Sequence, residues 1–319
     1  MHVLRAIACA MAFGGLGFSM QAGATELTVM SFNIWGGGGN ESKPVDETVA
    51  VIRAVNPDII GIQETMLEGA DCTADSCPPV GTSVAKAIAD ALGYYFVDQA
   101  GSNDALWASA IISRYPIGAL TPNLLGAAVQ VDGRTVQVFN IHLDDAPYQP
   151  YQLLDIAYGD FPFLKTEAEA IEAAKATRGK ALDLLEADMQ GAGPADLTLV
   201  FGDFNEPSGL DWTEAAAAKG THPLKVAFPT TKRIESWGFA DLFRVAFPDP
   251  VAKPAFTWTP STAADDPEDH HDRIDFTFGR ADALKVLKAG IVGEKAPEAD
   301  VVVTPWPSDH RSTYARITF

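Results

Sequence analysis

Several short, apolar, β-prone runs in this chain stop abruptly in acid, amide or imidazole side chains. Ile59-Ile60-Gly61-Ile62 runs into Gln63-Glu64, Val136–Ile141 closes on His142, and Leu197–Phe201 leads into Gly202-Asp203-Phe204-Asn205. A short continuous apolar run bounded by polar residues reads as a buried strand. Its end is where layered sheets place their ligands. The chain is therefore constrained to covered sheets whose strand termini carry polar chemistry.

The segments between these runs have helical spacing. Val45, Val49, Ile52 and Val55 recur at a helical interval before Asn56-Pro57 stops them, and Val84, Ile88 and Leu92 do the same before Gly93. Glu167 to Met189, rich in Ala, Glu, Lys and Leu, predicts a long helix. Further strands are expected at Leu27–Trp35, Tyr94–Val97, Ala108–Ser113, Thr135–Leu143, Phe256–Thr259, Arg273–Phe278, Ala283–Val292 and Arg311–Phe319. Some strands alternate with helices and others follow one another directly. That mixture predicts an α+β sandwich, two mixed β-sheets flanked by helices, not a pure parallel wheel.

The first residues have the pattern of a secretory leader. Arg5 gives a basic start, Ala6 to Met20 is apolar, and Ala22-Gly23-Ala24 is a small-x-small cleavage site. Residues 1–24 are expected to be removed, leaving 25–319 as a single catalytic domain that is secreted or periplasmic. No later run is long and apolar enough to predict a membrane span. The chain carries 23 Lys and Arg against 42 Asp and Glu, a net charge of −19. Losing the leader, which holds Arg5 and no acid, takes it to −20. Such a field opposes loose binding of polyanions, so nucleic acid is disfavoured as a partner, although a bound cation changes the field locally. A monomer is expected. Cys72 and Cys77 share a short Pro-bounded loop, and in an oxidising compartment they are expected to form a disulfide.

Glu64, His142, Asp203, Asn205, Asp275 and Asp309 all fall at or beside strand ends, and Asn33 sits in Ser31-Phe32-Asn33-Ile34 with apolar neighbours, where an amide needs a partner. Oxygen donors from Asn33, Glu64 and Asp309 suit Mg2+, or Mn2+ or Ca2+, better than zinc. Hydrolysis of a phosphate ester needs charge stabilisation, an aligned water and a proton for the leaving oxygen. A hard cation, two histidines and several carboxylates supply all of these.

In order along the chain stand Ser31-Phe32-Asn33, Gln63-Glu64, Ile112-Ser113-Arg114-Tyr115-Pro116, Asn140-Ile141-His142-Leu143, Gly202-Asp203-Phe204-Asn205, Arg273-Ile274-Asp275-Phe276 and Ser308-Asp309-His310-Arg311. Each is weak alone; the ordered set resembles the endonuclease/exonuclease/phosphatase superfamily, the deoxyribonuclease-like fold. The resemblance implies a pseudo-symmetric four-layer sandwich. It implies Glu64 as the principal metal ligand, helped by Asn33 and Asp309. Asp203 would orient the attacking water, Asn205 would contact the phosphoryl oxygens, and His310 would be a phosphate-contacting acid/base group oriented by Asp275. His142 would supply the leaving-group proton.

Arg114 is either a phosphate contact or an ordinary ion-pair residue. Tyr148, Tyr151, Trp258 and Trp306 stand near motif residues, with Trp258 and Tyr148 the expected substrate contacts. The acidic run Asp265 to Asp272 reads as a solvated loop, because it lacks the alternation and central glycine of a calcium loop. A secreted, divalent-metal-dependent phosphoesterase acting on a small or lipid-derived ester is the leading expectation. An extracellular DNase-type endonuclease is the alternative, and a non-catalytic binding module on the same fold stands behind it.

Overall fold

A computed structural model describes residues 24–67 and 83–319. The expected leader up to residue 23 and the Cys72–Cys77 pair lie outside the described residues. Among the described residues no helix is long and apolar enough to cross a membrane.

The strands in chain order are β1 (Glu26–Asn33), β2 (Ile59–Gln63), β3 (Tyr95–Gln99), β4 (Ser109–Ser113), β5 (Ile117–Leu120), β6 (Gly126–Val131), β7 (Arg134–His142), β8 (Leu197–Asp203), β9 (Ala240–Asp241), β10 (Asp275–Arg280), β11 (Lys285–Gly293), β12 (Val301–Val302) and β13 (Ser312–Thr318). The helices are α1 (Val45–Val55), α2 (Ala85–Leu92), α3 (Gln149–Leu154), α4 (Glu167–Gly191), α5 (Glu214–Lys219), α6 (Pro229–Ser236) and α7 (Leu242–Ala246). One sheet runs β12-β11-β13-β1-β2-β4-β3 and the other β5-β6-β7-β8-β10-β9. Each has a parallel pair flanked by antiparallel strands: β1 beside β2 in the first, β7 beside β8 in the second. Both sheets are thus mixed, as expected.

The sheets pack face to face through Leu27, Val29, Ile59, Val138, Leu199, Phe201 and Ile317, all fully buried. Helices α1 and α2 cover the outer face of the first sheet through Val49, Ile52 and Ile88. Leu182 and Leu185 of α4 and Ile234 of α6 cover the second. The sheets approach closely at Gly61, where a Cβ would lie 2.6 Å from Asn140 Oδ1 and 2.7 Å from the Cβ of Phe201. Asn140 ties the layers together there. Its Oδ1 accepts from Gln63 Nε2 at 2.6 Å, and its Nδ2 donates to Ile62 O at 3.0 Å and Gln99 Oε1 at 2.8 Å. A buried amide satisfied on several sides specifies one register between the sheets.

Two expectations need correction. Phe256–Thr259 forms no strand; Trp258 makes only isolated bridges to Asp272 and His310. The acidic run is not a fully solvated loop. Its first residues are exposed, but Asp272 is buried, Tyr148 and Trp212 donate to its carboxylate, and Tyr151 donates to Asp269. Charge density alone does not reveal that aromatic donors wait on the other side.

Arg273, inside the Asp275 motif, is a scaffold residue. It is buried, donates to Asp211 at 3.0 Å and to Asp241 at 2.7 Å, and lies over the Phe276 ring. Removing one partner of a buried ion network leaves uncompensated charge. Arg273→Ala is therefore expected to cost about 3–5 kcal/mol of stability, read from urea denaturation. An unchanged midpoint would contradict that structural role.

Candidate active site

The parallel pair at the heart of each sheet delivers polar side chains to one shared cavity. Asn33 ends β1, Glu64 follows β2, and His142 and Asp203 end β7 and β8 as direct cross-strand partners. Asp275 opens β10 opposite Asp203. Asp309 and His310 come from the loop before β13. Strand ends suit this purpose because the sheet fixes their Cα positions while their side chains leave the packed core.

Asn33 Nδ2 donates to Glu64 Oε1 at 2.8 Å and to Asp203 Oδ2 at 3.0 Å, linking a residue of each sheet. Its Oδ1 is occupied, accepting from Trp35 N at 3.1 Å. Asn33 thus presents its amide N–H groups to the carboxylates here, in place of the oxygen that metal ligation requires. His142 Nε2 lies 3.7 Å from Glu64 Oε1 and 3.8 Å from Asp203 Oδ2. His310 Nδ1 lies 2.8 Å from Asp275 Oδ2, and its Nε2 lies 3.6 Å from Asp203 Oδ2. Asn205 donates from its backbone N to Asp203 Oδ1 at 2.9 Å and from Nδ2 to Leu143 O at 2.9 Å. Ser308 Oγ receives the His310 backbone N–H at 3.0 Å and donates to Asn33 O at 2.8 Å, anchoring the last motif on the first.

Glu64 and Asn205 both hold left-handed backbone, with φ of 55° and 47°. A non-glycine residue pays conformational energy there, and such outliers cluster at functional sites. The turn re-aims each side chain immediately after its strand ends.

The electrostatics are unusual. Burial raises the Glu64 carboxyl to about 7, against the pull of His142, and Asp309 adds a like-charge push. Burial opposes the charged form of His310 too. The Asp275 and Asp203 charges and the Asp275 hydrogen bond outweigh it and hold His310 well above the usual imidazole value. Glu64 Oε2 is buried with no hydrogen-bond partner. A cation relieves both features of Glu64, the orphaned oxygen and the crowding by Asp309. One ligand atom each of Glu64, His142 and Asp203 also lies within 4.8 Å of the others. The donor set therefore fits a divalent ion.

The cavity has a volume of about 670 Å³ and is lined by Glu64, His142, Asp203, Asn205, Asp309 and His310. Both Trp258 and Tyr148 line it, and the Trp258 ring sits 5.0 Å from that of His310. Trp306 does not line it; it packs on Phe32 under the first sheet. Arg114 is also elsewhere. Its Nε donates to Asp58 Oδ1 at 2.9 Å at the opposite end of β2 from Glu64, so it is an ion-pair residue and not a phosphate contact. Sequence reasoning missed Trp107, Asn103, Asp144, Asp145, Tyr158 and Glu268 in the cavity wall. Asp144-Asp145, directly after the His142 strand end, was the one available signal.

The model of the Endonuclease/Exonuclease/phosphatase family matches residues 30–310. An uncharacterised Caenorhabditis elegans protein is 26% identical over 307 residues, covering 92% of this chain and 91% of that one. A humanized D. rerio TDP2 superposes with a TM-score of 0.53 at 16% identity, over 92% of this chain and 98% of that one. The 3′ phosphatase NExo from Neisseria, bound to a product DNA hairpin, gives 0.52 at 18% identity, over 91% and 98%. The structural likeness shows a shared fold; the family model spans the whole polar cluster at and behind the cavity, from Asn33 to His310, and on that match the chain belongs to the endonuclease/exonuclease/phosphatase family of metal-dependent phosphoesterases and nucleases.

Proposed function

We propose that this chain hydrolyses a small phosphate ester, by attack of water at phosphorus, in the cavity between the two sheets. The observation that carries the reading is the convergence of Glu64, His142, Asp203, Asp309 and His310 on one cavity, with Asn33 and Asp275 bonded to them from behind. Glu64 and Asp309 would hold a divalent cation of the Mg2+ class, with Asn33 fixing Glu64 through its amide N–H. The cation supplies charge neutralisation at the phosphoryl oxygens. Asp203 orients the water, with its own position fixed by Asn33 and by the backbone N–H of Asn205. His310, held cationic against Asp275, faces the phosphoryl group as a hydrogen-bond donor. His142 stands on the other side of Asp203 and delivers the proton to the departing oxygen.

The cavity chemistry supports a small ester over a polynucleotide. Among the described residues it is lined by Glu64, Asp144, Asp145, Asp203, Glu268 and Asp309 but by no Lys or Arg. A strip reading a nucleic-acid backbone is basic. Aromatic rings of Trp107, Tyr148, Tyr151, Tyr158 and Trp258 provide apolar wall instead. A nitrophenyl phosphodiester and plasmid DNA, each assayed with magnesium, separate the readings: turnover of the diester with little nicking of DNA is expected. Efficient nicking with a salt-dependent affinity would install the nuclease reading.

Glu64 also sets a pH dependence. Cation binding needs the carboxylate, and the metal-free carboxyl titrates at about 7. The affinity of the metal-free chain for Mg2+ is expected to be level above that pH. Below it, protons compete and affinity falls by about tenfold per pH unit. Calorimetric titration of magnesium over about three pH units spanning that value checks the slope; a flat profile contradicts it.

The same reading places residues 25–319 as one catalytic unit acting outside the cytoplasm, with Cys72 and Cys77 bridged. Its support is the leader pattern and the Cys spacing. The N-terminal sequence of the exported protein and its mass before and after reduction with alkylation test both.

A further inference from the structure

Behind the aromatic wall of the cavity lies a second cluster of metal-binding groups. His222 comes from the loop after α5, and His270 and Asp272 from the run before β10. His222 Nδ1 and His270 Nε2 are 3.0 Å apart, and Asp272 Oδ1 is 3.9 Å from the first and 4.0 Å from the second. Their ligand atoms form a triangle small enough for one ion to touch all three corners. We propose that His222, His270 and Asp272 form a structural site for a borderline divalent transition ion of the zinc class, separate from the hard-cation centre at Glu64.

Three physical features support it. The donor chemistry is right: two imidazoles and one carboxylate suit zinc-class ions, whereas Mg2+ and Ca2+ take oxygen donors. The donors are also held from behind. Trp212 Nε1 donates to Asp272 Oδ1 at 2.7 Å, Tyr148 Oη donates to Asp272 Oδ2 at 2.8 Å, and the Trp212 ring stacks on His222 with centroids 4.4 Å apart. Outer partners that lock ligand orientation are characteristic of metal sites. Finally, Asp272 is enclosed, and among the described residues the basic side chains within 4.0 Å of its carboxylate are these two histidines, with no Lys or Arg ion-paired to it. A buried carboxylate without a cation is costly.

Burial pushes the Asp272 carboxyl well above the usual carboxylate range, so any proton it carries leaves to solvent as the ion binds. In the metal-free pair one ring nitrogen donates to the other. That proton moves to the second nitrogen of its own ring, and the two freed lone pairs and the Asp272 oxygen bind the ion. The site braces the cavity wall, because Tyr148 and Trp258 both bond to Asp272, Trp258 through its backbone.

The test uses the whole chain, stripped with chelator and then kept in excess Mg2+ so that the Glu64 centre is filled. Titration with zinc chloride by calorimetry is expected to find one zinc per chain and a rise in the melting temperature. His270→Ala should weaken that binding by at least about tenfold, while Glu64→Gln should keep it. Zinc-edge X-ray absorption on Glu64→Gln should show two imidazoles around the metal, a readout that stands even if His270→Ala does not fold. No zinc uptake in the presence of Mg2+, wild-type affinity in folded His270→Ala, or an oxygen-only zinc environment would each overturn the proposal.

Discussion

Glu64→Ala is expected to abolish metal-dependent phosphoester turnover while leaving the fold intact. Glu64 carries the orphaned oxygen of the site, and its Oε1 is shared between Asn33 and the approach to His142. Among the described neighbours Asn33 presents its amide hydrogens and Asp203 is engaged by Asn205, so Asp309 would be left to hold the cation without its partner. The fold should survive for an electrostatic reason. Burial without a counter-charge raises this carboxyl to about 7, so the metal-free protein holds it at a cost that alanine removes. Thermal melting of the metal-free variant should match or exceed the wild type, and magnesium should no longer shift it. Retained turnover, or a retained magnesium shift, would remove Glu64 from the centre of the site.

His310→Ala is expected to lower kcat by on the order of 10²–10⁴-fold, the range for losing a positioned, charge-bearing acid/base group. His310 is held between Asp275 at 2.8 Å and Asp203 at 3.6 Å, and in the proposed mechanism it is the cation that faces the phosphoryl group. Asp275→Asn should reproduce part of the loss, because the amide keeps the contact to Nδ1 but withdraws the charge that sustains the imidazolium. His142→Ala should behave differently. A nitrophenolate leaves without a proton and an alkoxide does not, so the His142→Ala defect should be small on nitrophenyl esters and large on alkyl esters. His310→Ala should impair both alike. Equal leaving-group dependence in the two variants would mean that the roles of the histidines are not divided as proposed.

Much of this site was legible in the chain because its residues terminate strands. A short continuous apolar run has a sharp end, and a polar side chain there has few structural alternatives. That logic located Glu64, His142, Asp203 and Asp275, and it located β2, β7 and β8 to within about two residues. It failed where the end in question was the wrong one. Arg114 also follows a strand, β4, but β4 runs antiparallel to β2, so its terminus lies beside Asp58, away from the cavity. It failed again for β5 and β6, whose small and exposed residues blur the alternation, and for α5 to α7, whose apolar faces are short. Arg273, two residues before Asp275 in the same string, is a buried residue that ties Asp211 to Asp241, a role that only the packing reveals.

The chain by itself determined the class of fold and the candidate polar residues at its strand ends, because local periodicity and donor type are properties of short segments. Only the tertiary structure decided that Asn33 spans the two sheets, that Asp275 and Asp203 hold His310 well above the usual imidazole value, that the cavity wall is aromatic and acidic, and that His222 lies beside Asp272. Those facts depend on which strand lies beside which and on how much water each group loses. Distances across a sheet interface and desolvation arise from packing, and no window of neighbouring residues contains them.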